Sequence, residues 1–312
     1  MVVLSLFDGI SGGQIALNRL GKQVAQYYAS EIDDYAIQIT QNNYPNTIQL
    51  GDVTTVKYEN GILSNKTNNY VVESIDLLLF GSPCQSFSFA GKKQGMSTVS
   101  NIDVCTLEDY LQLKQSGMQF NGQSYLFWEA VRILNEVNPT YFLCENVKMM
   151  DKWKDIISNA LGVLPNRINS NLVSAQNRDR LYWTNINNGY IPLPEEKDVV
   201  LKDIIETNVN SKYYLSKEHY DAFQRSYTWK ADDINKKSKP LLASYYKQPP
   251  HSPYIVENNS SSGYRRLTPL EAERLQTLPE NYTEGVSDTQ RYKSIGNGWT
   301  IDVIAHILSF IP

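Results

Sequence analysis

Six consecutive residues limit the fold more than any other stretch. Ile75-Asp76-Leu77-Leu78-Leu79-Phe80 is almost wholly apolar and stops at Gly81. A strand with one wet face alternates apolar and polar side chains, so a short apolar run ending in a turn residue reads as a strand buried on both faces. Val2-Val3-Leu4-Ser5-Leu6-Phe7, residues 24–29 and Tyr141-Phe142-Leu143-Cys144 read the same way. Helical patterns lie between them: one through Ile15, Leu17 and Leu20, one over 33–43, and one over 125–137 carried by Leu126, Val131 and Leu134. The alternation predicts an open α/β fold, a parallel sheet with helices on both faces. Ligands in such sheets sit outside the carboxyl ends of the strands.

The pattern breaks after Trp183. Residues 185–264 are rich in Asn, Ser, Tyr and Lys, with Lys236-Lys237-Ser238-Lys239-Pro240 and Gln248-Pro249-Pro250 as loop signals. Order returns at Leu267-Thr268-Pro269-Leu270-Glu271, where Thr268 and Glu271 have capping-box spacing and Pro269 falls at the first helical position. A last helix is expected from Thr300, with Ile301, Ile304, Ala305 and Leu308 on one face. The economical division is one discontinuous domain, 1–184 with 265–312, carrying a second domain at 185–264. A smaller polar insertion occupies 96–123.

Composition removes several classes of protein. A chain of 312 residues buries roughly three quarters of its unfolded surface and needs no disulfide or metal to fold. Its three cysteines form no C-x-x-C pair and its three histidines are scattered, so neither a disulfide framework nor a metal site is expected. No apolar run approaches the ~20 residues of a membrane span, and the N-terminus lacks the basic flank of a signal peptide. A cytoplasmic monomer is the expectation. The net charge of −4 argues against a polyanionic partner, but the average hides an asymmetry. Residues 208–266 hold ten Lys or Arg against five Asp or Glu, as a phosphate-facing surface on an acidic body would.

Polar motifs cluster where the strands end. Phe7-Asp8-Gly9-Ile10-Ser11-Gly12-Gly13 follows the first strand, with glycines that let the backbone turn tightly and approach a ligand. It lacks the G-x-G-x-x-G pattern of a dinucleotide cradle. Glu31 ends the second strand, where a carboxylate is placed to accept from ribose hydroxyls. Gly51-Asp52-Val53 offers a third position, and the ordered spacing points to a nucleoside-type ligand. Cys84, in Gly81-Ser82-Pro83-Cys84-Gln85, stands beyond the apolar run at the ligand edge. That is a nucleophile's location, although a free thiol at pKa ~8.5 needs help to ionise at neutral pH. Cys144 lies within its strand and reads as core. Glu145 faces the same edge as Cys84. Arg178 and Arg180 are two apart and so share one side of a strand, as donors to a base or phosphate or as a surface pair.

Phe7-Asp8-Gly9, Pro83-Cys84-Gln85, Glu145-Asn146-Val147, Gln176-x-Arg178-x-Arg180, Arg266-Leu267-Thr268-Pro269 to Gln276, and Gly296-Asn297 occur in this order. Together they resemble the ordered motifs of the cytosine-5 DNA methyltransferases, over residues 1–183 and 265–312. The resemblance implies a Rossmann-like methyltransferase sheet with an inserted target-recognition domain, S-adenosylmethionine as cofactor and double-stranded DNA as substrate. It places Phe7, Gly9, Ile10 and Gly12 along the cofactor, Glu31 on its ribose, and Asp52 and Val53 near its adenine, with Ile32, Pro83, Leu126, Asn297 and Trp299 completing the pocket. Cys84 becomes the nucleophile, Glu145 the residue engaging the cytosine amino group and ring nitrogen, and Arg180 a donor to the ring carbonyl, supported by Arg178. Residues 91–95 are a candidate lid over the base.

Three positions depart from the family pattern. Ile32 stands where an aromatic residue often follows the ribose acid, residues 96–123 lengthen the interval between Cys84 and Glu145, and Trp299 stands where many relatives have an aliphatic residue. The family's tRNA-modifying branch shares nearly all of these motifs. A silent DNA-binding relative, by contrast, would lack the Cys or the Glu. Restriction-linked, orphan and phage settings all fit the same motifs.

Overall fold

The apolar run does form the middle of a sheet. The structure, a computed structural model, describes residues 1–84, 87, 95–225, 230–249, 251–256 and 263–312. Its elements are β1 (Val2–Leu6), α1 (Gly12–Arg19), β2 (Gln26–Ser30), α2 (Asp34–Asn43), β3 (Ile48–Gln49), β4 (Lys57–Glu59), β5 (Ile62–Ser64), β6 (Asn69–Val71), β7 (Leu77–Phe80), α3 (Leu107–Gln115), α4 (Phe127–Val137) and β8 (Tyr141–Val147). There follow α5 (Asp151–Leu161), β9 (Asn166–Asn169), β10 (Asp179–Thr184), α6 (Lys217–Gln224), β11 (Tyr254–Val256), β12 (Tyr264–Arg266), α7 (Pro269–Leu275), α8 (Asp288–Asn297) and α9 (Ile301–Leu308).

Seven strands pair in the order β3-β2-β1-β7-β8-β10-β9. The five from β3 to β8 are parallel, while β10 runs antiparallel to both β8 and β9. The chain moves outward from β1 on one side and then returns to build the other, so the crevice between β1 and β7 is the topological switch point where such sheets bind ligands. The antiparallel turn of β10 matters equally. It brings the start of that strand, with Arg180 opposite Val147, to the carboxyl edge of β8.

Burial follows the pleat. Val3, Leu77, Leu79 and Leu143 enter one core, with α1, α7, α8 and α9. Leu4, Leu6, Leu78, Phe80, Phe142 and Cys144 enter the other, with α4 and α5. All four residues of β7 have no exposed surface, which is why that run carries no polar alternation. The expected capping box at α7 is present, with Pro269 in its first turn.

Several elements differ from expectation. β8 continues three residues beyond Cys144, so Glu145 lies inside the strand. Arg178 precedes β10 by one residue instead of sharing the strand with Arg180. The three-stranded meander β4-β5-β6 and the edge strand β9 are short and largely polar, without a pattern that marks them in advance. Residues from 185–264, among them Leu201, Ile204, Leu241, Tyr245 and Ile255, share the core of α1 and α9. Among the described residues, Leu215 and Tyr254 form a small separate core, with Ala231 and Tyr264 packed against it.

Leu79→Ala would open a void in the most enclosed strand. A loss of about 3 kcal/mol is expected for a fully buried leucine, readable as a lower urea midpoint with unchanged slope.

Candidate active site

The turn after β7 is pinned from two sides. Asn146 Nδ2 donates to the carbonyl and hydroxyl oxygens of Ser82, at 3.3 and 3.2 Å. Ser124 Oγ donates to the Pro83 carbonyl at 2.9 Å. Cys84 is thereby left half-buried, its carbonyl accepting from Phe87 N at 2.9 Å, while the Phe87 ring packs beside Trp153. Strand alternation turns Asn146 to this buried support and Glu145 to the other face. Glu145 is held at both oxygens. Arg180 Nε lies 3.0 Å from Oε1, and Trp299 Nε1 donates to Oε2 at 3.1 Å. The reach from Arg180 to Glu145 is the diagonal across an antiparallel pair, within range of long side chains.

Electrostatics at Cys84 are divided. Burial pushes its thiol above the ordinary value and the Glu145 charge adds to that, while Arg180 and Arg178 oppose it. The thiol rests protonated at neutral pH.

A second group lines the ends of β1, β2 and β3. Gly9 has φ +59°, and a Cβ there would meet nothing within 4 Å, so its backbone borders open space. Its N–H donates to Glu31 Oε2 at 2.8 Å, while Glu31 Oε1 accepts from Ile32 N and Asp33 N at 2.8 and 2.9 Å. A carboxylate offers about four acceptor sites, so Oε2 keeps one for a hydroxyl. Phe7 and Asp52 stand beside this cradle, Phe7 half-buried and Asp52 exposed. Ile32 is 66% exposed, free to cover a planar ligand. Ile10 and Val53 turn their side chains into the core, leaving only their backbones for a ligand. Pro83 and Leu126 are half-buried and Asn297 is exposed. Gly12 faces Trp299 and Ile301. Asp8, within Phe7-Asp8-Gly9, has no role assigned by the sequence. Enclosed by Ser11 and Tyr27, its carboxyl is pushed up to about 6 by burial.

Comparison with known proteins decides the family. A profile described as C-5 cytosine-specific DNA methylase matches residues 1–107 and 111–311. The chain belongs to that family. It is 30% identical to the type II methyltransferase M1.ScrFI of Lactococcus lactis subsp. cremoris, covering 97% of this chain and 75% of that protein. It is 28% identical to the type II methyltransferase M.NlaX of Neisseria lactamica, covering 98% and 94%. An orphan methyltransferase of Bacillus phage SPbeta is 23% identical, over 98% of this chain and 96% of that one. The fold is shared with the Entamoeba histolytica methyltransferase EhMeth, at TM-score 0.69 and 17% identity over 99% of this chain and 97% of that one. It is shared likewise with Dnmt2 of S. pombe, at 0.71 and 16% over the same proportions.

In this methylase Arg178 is a clamp. It is 5% exposed, and its guanidinium donates to the carbonyls of Leu241, Gly296 and Gly298 at 3.0, 3.1 and 2.9 Å. Burial and the Arg180 charge both work against its ionisation, and the three acceptors hold the charge in place. The chain at 242–243 crosses so close that a Cβ on Gly296 would lie 2.4 Å from Ala243 N. The 185–264 segment is thus fastened directly to the loop that carries Trp299.

The basic segment is less free than its composition suggests. Arg265, Lys212, Lys236 and Lys239 pair with Glu271, Asp288, Asp233 and Asp232. Arg266 lies over the rings of Tyr213 and Tyr292. Lys217, Arg225, Lys230 and Lys247 are exposed. Tyr245 of the same segment is fully buried. The candidate lid falls, except for Gly95, outside the described residues. Among the described residues no helix is long and apolar enough to cross a membrane, and no three His, Cys, Asp or Glu side chains are grouped to hold a metal.

Arg178→Ala leaves the buried carbonyls of Leu241 and Gly296 without their side-chain donor, at roughly 1–3 kcal/mol each, while Gln276 still donates to Gly298, so a loss of at least about 2 kcal/mol is expected in chemical denaturation. Glu145→Gln removes the negative charge beside Cys84. Alkylation of Cys84 by iodoacetamide, followed by peptide mass spectrometry, should then begin at lower pH than in the native protein.

Proposed function

We propose that this DNA cytosine-5 methyltransferase acts as a monomer on a cytosine rotated out of duplex DNA. Cys84 is its nucleophile, Glu145 and Arg180 hold the base, and residues 185–264 form its target-recognition domain. The observation that carries this assignment is the meeting of three strand ends at one edge. Cys84 follows β7, Glu145 lies in β8, and Arg180 opens β10 with its Nε 3.0 Å from the Glu145 carboxylate.

Carbon 5 of cytosine is too weak a nucleophile to accept a methyl group unaided. The Cys84 thiolate adds to carbon 6 and makes the ring an enamine. Glu145, as a carboxylic acid, donates to the ring nitrogen and favours that addition. Arg180 has Nε on Glu145 and Nη1 on the Asp179 carbonyl at 2.9 Å, which leaves Nη2 to reach the ring carbonyl. S-adenosylmethionine supplies the methyl group when bound. Phe7, the Gly9 backbone, Glu31, Ile32, Asp52, Pro83, Leu126, Asn297 and Trp299 would hold it, with Ile10, Gly12 and Val53 shaping the pocket from behind. Loss of the carbon-5 proton and departure of the Cys84 thiolate restore aromaticity. Arg178 positions this set from the clamp. Rotation of the base is required because its ring atoms are inaccessible inside a stacked duplex, methyltransferases being a standard instance of such extrusion.

Methyl transfer from labelled S-adenosylmethionine to unmethylated duplex DNA and to total tRNA, with nucleoside mass spectrometry, tests the proposal. 5-Methylcytosine in DNA alone is expected, and label in tRNA alone would move the protein to the RNA-directed branch. Cys84→Ala should lower turnover by roughly 10³-fold or more while cofactor binding by calorimetry is kept; methylation retained in that variant would refute the nucleophile.

A further inference from the structure

We propose that Trp299 is a positioning residue for the catalytic acid: its indole N–H fixes Oε2 of Glu145, and its ring divides the cofactor cradle from the base site. The proposal rests on the roles assigned above to Glu145 and the cradle. Trp299 follows the end of α8, half-buried, and the two ends of its ring meet different parts of the site. A Cβ on Gly12, at the start of α1, would lie 3.6 Å from Cε3 of the indole. A Cβ on Gly81, at the end of β7, would lie 3.0 Å from Nε1 and 3.4 Å from Cζ2, and also 3.4 Å from Glu145 Oε2. The indole therefore spans from the cofactor turn to the acid, and both contacts are with glycines that leave it room.

A carboxylate gripped at one oxygen can still swing about its terminal torsion, which is broad and shallow. Arg180 grips Oε1, and the second donor on Oε2 sets the plane in which Glu145 meets the base. The donor itself is fixed. The Gly298 carbonyl before it accepts from Arg178 at 2.9 Å and Gln276 at 3.1 Å, and Thr300 after it donates to Gln276 Oε1 at 2.8 Å. Because Arg178 also holds Leu241, the orientation of Glu145 is tied through Trp299 to the 185–264 segment.

Trp299→Phe keeps an aromatic ring, smaller than the indole, and removes the donor. A kcat about tenfold lower is expected, in line with loss of one hydrogen bond to a charged group, with the melting temperature unchanged and a smaller change in affinity for S-adenosylmethionine than in kcat. Gly81→Ala, which pushes the indole away from Glu145 without altering it, should give the same split. A second readout needs no methyl donor: exchange of the target cytosine's carbon-5 hydrogen with solvent. There Cys84 adds to carbon 6, carbon 5 takes a solvent proton, and loss of the original proton with expulsion of the thiolate returns cytosine. Both variants should slow this exchange in parallel with kcat. Native exchange and kcat in Trp299→Phe, or a weakened cofactor affinity with native exchange, would overturn the proposal. Absence of turnover in the native protein would overturn the underlying mechanism as well.

Discussion

One buried guanidinium holds the halves of the site together. Arg178 donates to carbonyls 63, 118 and 120 residues away, and two glutamines extend its reach. Gln176 donates to the Leu275 carbonyl and the Gln276 side chain and accepts from Leu241 N. Gln276 donates to the carbonyls of Ile295 and Gly298. Every polar atom in such a network must be satisfied or the enclosed arrangement is lost. Its members come from the start of β10, the end of α7, the end of α8 and the 185–264 segment, so none can shift alone. The strand that carries Arg180, the loop that carries Trp299 and the 185–264 segment are thus one unit.

The same enclosure explains the resting state of Cys84, the proposed nucleophile. Cys84 is buried beside a carboxylate, and both effects keep its proton on. Two arginines oppose them, but Arg178 is committed to its carbonyls and Arg180 to Glu145. In the proposed mechanism the thiolate is therefore generated at the time of attack rather than held free beforehand.

Much of this was legible in the sequence. β1, β7 and β8 could be read because burial on both faces leaves unbroken apolar runs, and α7 because Thr268, Pro269 and Glu271 spell its start. Cys84 and Glu145 were legible because each follows an apolar run at the expected ligand edge, whereas Arg180 was marked by the family resemblance. The structure adds what depends on distant partners. The clamp at Arg178, the crossing of 242–243 over Gly296 and the bond from Trp299 to Glu145 join residues that no local pattern connects. Composition marked 185–264 as separate, yet its apolar residues are spaced without period and pack into the shared core. The basic charge of that segment was visible as a sum, but not its further neutralisation by Glu271 and Asp288 from outside it. β9 and the meander were illegible because short polar edge strands leave no periodic signal.

The central claim is that Cys84 forms a covalent bond to carbon 6 of a cytosine during methyl transfer. A duplex carrying 5-fluorocytosine in place of the target base tests it directly, since fluorine cannot leave as the carbon-5 proton does and the adduct persists. With S-adenosylmethionine present, digestion and mass spectrometry should find the methylated fluorocytosine attached to the peptide containing Cys84. No adduct, or an adduct on Cys105 or Cys144, would contradict the account.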